Sequence, residues 1–180
     1  MIRKMFLLAA LAFLPCLATA TTVTYTTSGS FSGGTLPISF IGAADTVNAN
    51  PSGVVGDMGT FVVGACPTTC SGPTTFTLTI TQTAPTPGSA PITATITGKV
   101  VHTSAKSLRI DFGSGASVTI GGVTYQPLWP SGSVGLKFGH NTTVQLIIAA
   151  PEPTSALLLG LGALGLMGLA FVSRDKILTC

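Results

Sequence analysis

Charge is what this 180-residue chain has least of: eight basic and five acidic side chains make up 7% of it, where about 25% is usual. A single glutamate, a single tryptophan, two tyrosines and two histidines complete the shortage. Each absence excludes something. A coiled coil needs glutamate and lysine on its flanks, and a disordered chain of this polarity is normally rich in charge. A net charge of +3 without a Lys/Arg run is too weak to hold nucleic acid, so none is expected as a partner. Hydrophobic residues stand at an ordinary 46%, so the gap is filled by Thr, Ser, Gly and Pro. The length suits one domain with segments left over at the ends.

The amino end, residues 1–20, has a positive start at Arg3 and Lys4 and an apolar stretch from Met5 to Leu17. Ala18-Thr19-Ala20 then precedes Thr21. These are the three parts of a secretory signal peptide, with Ala18 and Ala20 as the small residues a signal peptidase cleft accepts, so the mature chain should begin at Thr21. Cys16 follows Leu14-Pro15 rather than a small residue, which does not suit lipoprotein processing.

At the other end, residues 156–172 (ALLLGLGALGLMGLAFV) carry no charge, and as a helix they would reach roughly 25 Å. One C-terminal transmembrane helix is therefore expected. Arg174 and Lys176 follow it and belong in the cytoplasm, with the bulk of the chain outside. Gly160, Gly162 and Gly165 spell a literal G-x-G-x-x-G, but no strand precedes them and no acidic ribose ligand follows, so close helix packing, or simple tolerance of glycine in membrane spans, is the better account. Immediately before the span stands Pro151-Glu152-Pro153. Its two prolines keep the segment extended and outside helix or strand, as a protease cleft requires.

That order, Pro-Glu-Pro, then a Gly/Leu/Ala-rich apolar helix, then a basic cluster, resembles the PEP-CTERM sorting domain, which also goes by the name of an ice-binding protein C-terminal domain. The resemblance covers residues 151–176, diluted at its end by Asp175 and followed by Ile177-Leu178-Thr179-Cys180. It implies export through the inner membrane, anchoring there by the C-terminal helix, and recognition near Pro151, Glu152 and Pro153 by an exosortase-type membrane transpeptidase. Release to the cell surface or the exterior then follows. It also implies association with extracellular polysaccharide and biofilm matrix.

Residues 21–150 hold 25 threonines and only seven charged side chains. The period is two: Phe76, Leu78 and Ile80 alternate with Thr75, Thr77, Thr79 and Thr81, and Ile92, Ala94 and Ile96 with Thr93, Thr95 and Thr97. Leu108, Ile110 and Phe112 repeat the pattern. Further strands are expected at 23–25, 38–41, 60–63, 118–120, 123–125, 136–138 and 143–148. Residues 82–91, with three prolines, should form a loop, and Gly121-Gly122 a two-residue hairpin turn. The fold class is mainly β, an antiparallel β-sandwich.

Cys66 and Cys70 should form a disulfide outside the cell. A metal site would need further ligands, and only His102 and His140 are on offer, so neither metal nor cofactor is expected. G-x-S-x-G is absent, His102 with Asp111 and a serine is a chance combination, and Asp45, Asp57 and Asp111 are a thin supply for paired carboxylates. Each reads better as a turn cap, and no enzyme is expected. Asn141-Thr142-Thr143 reads as a turn rather than a glycosylation site. Trp129 with Tyr125 could stack on a sugar ring, which makes a carbohydrate-binding module the alternative to a structural or adhesive matrix protein, with a small hydrolase third. The Thr-x-Thr pattern is concentrated in two segments and absent from 105–118, so it reads as exposed strand faces rather than an ice-binding ladder.

Overall fold

A computed structural model describes residues 20–128, 133–151 and 162. Residues 20–151 form one compact unit. In chain order its strands are β1 (Thr21–Ser32), β2 (Ile38–Gly42), β3 (Ala44–Ala49), β4 (Val54–Val63), β5 (Thr69–Ser71) and β6 (Thr74–Ala84). They continue as β7 (Gly88–Val101), β8 (Ser104–Asp111), β9 (Val118–Ile120), β10 (Val123–Pro127), β11 (Ser133–Gly135) and β12 (Asn141–Ala149). Two antiparallel sheets result. The larger runs β11-β8-β7-β6-β1-β3, with β5 also on β7, and the smaller runs β2-β4-β12-β10-β9.

Threonine alternation explains the layering. Along β6 Phe76, Leu78 and Ile80 are buried and the threonines between them stay partly in solvent, because successive side chains of a strand point to opposite faces. The same holds for Ile92, Ala94 and Ile96 of β7. Both sheets contribute to one core: Phe61 of β4 meets Phe76 of β6 edge-on at 4.8 Å, and Tyr25 of β1 meets Tyr125 of β10 at 5.7 Å. Full burial of one such ring contributes roughly 1.5–3 kcal/mol.

Gly121 and Gly122 form the expected turn, both with positive φ (55° and 87°), and Ile120 pairs with Val123 across it. The loop expected at 82–91 is much shorter. β6 continues to Ala84 and β7 starts at Gly88, because Gln82 is buried and its amide donates to the Thr86 carbonyl at 2.6 Å, closing the turn. Pro91 stands inside β7 opposite Thr79, where β7 bonds to β6 on one side only, since its ladder with β8 begins at Thr95. The strand expected at 136–138 lies three residues earlier, as β11. Leu136 still packs inward and donates to the Leu108 carbonyl, but a turn from Lys137 to His140 follows it. β3 and β5 are additional to the sequence reading.

The two ends of the unit meet. Thr21 pairs with Ala49, and the Ala150 amide donates to the Asn50 carbonyl at 3.2 Å. Among the described residues no helix is long and apolar enough to cross a membrane. The expected signal peptide at 1–20 and the expected span at 156–172 lie outside the described residues, Ala20 and Gly162 excepted.

Candidate functional site

The larger sheet turns one face outward, and across β1, β6 and β7 most of that face is covered by hydroxyls. Across β1, β6 and β7 the register aligns Ser32, Thr75 and Thr95 in one row, Ser30, Thr77 and Thr93 in the next, and Thr26, Thr81 and Ser89 in another. Rows of this kind repeat about every 6.6 Å along the strands, with strands about 4.8 Å apart. Thr81 and Ser89 share a hydroxyl contact at 3.2 Å, and at the sheet edge Thr24 and Thr46 do so at 3.1 Å. At the β8 side the face dips into an open groove of about 450 Å³, lined by Thr75, Thr93, Thr95, Thr97, Asp111 and Gly113 together with the apolar Ala94 and Phe112. Such a surface offers many donors and acceptors and little charge, suited to a hydroxylated ligand.

The sequence reading missed this array. Thr-x-Thr does occupy two segments, but the hairpin β6–β7 lays them side by side in phase. The signal was available in the equal period of the two runs on either side of a Pro-rich turn.

The residues singled out from the sequence fall elsewhere. Tyr125 is a correction: it is fully buried, and its hydroxyl donates to Oε1 of Gln82 at 2.6 Å, so it cannot present a ring to a sugar. Burial pushes its phenol up to about 12. Tyr25 donates to the Asp57 carbonyl at 2.8 Å and is pushed up further, by burial first and then by the charges of Asp45 and Asp57. Trp129, Ala18, Glu152, Pro153, Arg174 and Lys176 lie outside the described residues, while Ala20 and Pro151 are exposed ends of the unit. Cys66 and Cys70 are joined, with Cα atoms 6.0 Å apart. Their loop is tied to the β7–β8 turn, where the Cys66 amide donates to the His102 carbonyl and the His102 amide to that of Thr68.

The carboxylates cap backbone. Asp45 accepts from the Thr46 amide, Asp57 from Gly59 and Asp111 from Gly113, at 2.7–2.9 Å. His102 and Asp111 are not brought together. Asp111 pairs with Thr95, six residues back along β7 from the Val101 that precedes His102, or about 20 Å. His140 sits in the turn before β12, and no metal-binding group of three ligands exists among the described residues.

Compared with family models, with curated proteins and with solved structures, the chain finds no match in any of the three.

Proposed function

We propose that this is an exported β-sandwich protein, sorted through a PEP-CTERM-like tail, with a non-catalytic structural or adhesive role in an extracellular polysaccharide matrix. The observation that carries it is the order of the terminal segments: a cleavable leader ending at Ala20, then Pro151-Glu152-Pro153, an uncharged apolar run and Arg174 with Lys176. In this reading the chain is held in the inner membrane until an exosortase-type transpeptidase acts at the box. Two features of residues 21–150 support it. Solvent faces clothed in hydroxyls keep the protein wet with few charges, and one small disulfide suits an oxidising exterior.

The test is the intact mass of the protein released by the cells that make it. The expected product starts at Thr21 and lacks everything beyond about residue 153. Full-length chain in the medium refutes the sorting reading. Release that persists when Pro151, Glu152 and Pro153 are all replaced by alanine refutes the role of the box.

A further inference from the structure

Residues 21–150 contain four lysines and arginines, and all four gather at one corner of the larger sheet. Lys99 lies near the end of β7, Lys106 and Arg109 lie on β8, and Lys137 follows β11. These three strands are neighbours in the order β11-β8-β7. All four side chains are exposed. Lys99 and Lys106 are directly opposite each other in the ladder, an arrangement of like charges that destabilises a sheet. Of the three acids, Asp45 is on β3 at the far edge of the sheet and Asp57 is on β4 in the other sheet. Only Asp111 lies close by, in the groove lining opposite Thr95, where its carboxylate accepts from the Gly113 amide. The corner is thus the one place where a domain short of charge concentrates a single sign, and it does so against its own stability. It also adjoins the hydroxyl groove, through Thr97, opposite Arg109, and Thr95, opposite Asp111.

We infer that this cationic corner and the adjoining threonine groove form one binding surface for an acidic polysaccharide, the chain's hydroxyls lying along Thr75, Thr93 and Thr95 and its carboxylates meeting Lys99, Lys106, Arg109 and Lys137. The inference rests on the matrix reading above and adds the charge class of the polymer and the place where it lies. Charge complementarity selects the ligand: a neutral glycan has no use for opposed lysines. Nucleic acid is disfavoured, because four cations neutralise few phosphates and the outward positions of β6 and β7 carry no aromatic ring on which bases could stack.

The experiment titrates the detergent-solubilised full chain against alginate, a polyuronate, against neutral dextran and against duplex DNA, each at low and at physiological salt. Alginate should bind best, and more weakly as salt rises. Lys99→Gln/Lys106→Gln should lower alginate affinity at least about tenfold, with the thermal midpoint unchanged or raised because opposed like charges are relieved. Lys137→Gln, outside any ladder, should weaken binding without touching a strand. Unchanged alginate affinity in both variants overturns the inference, as does tighter binding of DNA. Dextran bound as tightly as alginate, without salt dependence, overturns the acidic ligand and leaves the matrix reading standing. That reading stands or falls separately on the mass of the released product.

Discussion

Replacing Gly98 by alanine tests the local geometry that sets the cationic corner. The β7–β8 ladder slips between Thr97 and Lys99, where Gly98 has φ of 112° and Ser107 across from it has φ of 50°. This bulge lets Lys99 oppose Lys106 while Thr97 opposes Arg109. A Cβ on Gly98 would stand 2.5 Å from the Ser107 carbonyl oxygen and 2.7 Å from the Leu108 Cα, both backbone atoms that no rotamer change can move. Two costs add: about 1–3 kcal/mol for a side chain at that φ, and about 1–3 kcal/mol for overpacking. Two other glycines separate them. Gly113 has φ of 76° with open space around it, so Gly113→Ala should show the conformational cost alone. Gly135 has open space and no positive φ, so Gly135→Ala should be within about 0.5 kcal/mol of the parent. Urea unfolding of the three variants gives the series directly, with Gly98→Ala lowest by about 2–6 kcal/mol. A Gly98→Ala variant as stable as Gly135→Ala refutes the bulge argument, and with it the fixed opposition of the two lysines.

Tyr125 makes the fold sensitive to alkali. Its pKa lies above the ordinary 10.0 when folded, at about 12, so its contribution is complete below pH 10 and is lost as pH rises through 12. Thermal midpoints should fall over that window and fall less steeply in Tyr125→Phe, whose own cost near neutral pH is about 1 kcal/mol for the lost bond to Gln82; a midpoint flat from pH 9 to 12 refutes this. The Cys66–Cys70 bridge closes a loop of sequence separation 4, for which loop-closure entropy predicts only about 2 kcal/mol. Cys66→Ser/Cys70→Ser should therefore stay folded at 25 °C with a midpoint several degrees lower, and complete unfolding would show that the bridge does more than close a loop.

Period-two runs were the legible part. Residues 76–80 and 92–96 appear as the centres of β6 and β7 because their buried faces repeat without a break. Strand ends were less legible, since prolines at 85, 87 and 91 suggest one long loop when only the first two stand in it. Pro91 is accepted by a stretch of β7 paired on one side, a tertiary circumstance no local pattern carries. β3 was missed because Ala44–Ala49 places Asp45 and Asn48 among few apolar residues, and its ladder comes from β1. The hydroxyl face was half legible: its residues were seen, their adjacency was not. The cationic corner was illegible, because positions 99, 106, 109 and 137 become neighbours only through the order β11-β8-β7.

The meeting of Thr21 and Ala150 beside Ala49 and Asn50 has a mechanical consequence. β7 carries Lys99 near its end at Val101 and β12 starts at Asn141, both away from that meeting point, so a tether at Pro151 and a polymer at the cationic corner would pull on opposite ends of the domain. Such a pull runs parallel to the strands. β12 lies between β4 and β10, bonded on both sides, so its ladders would be loaded in shear, with many hydrogen bonds sharing the force instead of opening one by one. A domain joined to its surroundings in this way would resist traction along its long strands, β12 among them with nine residues.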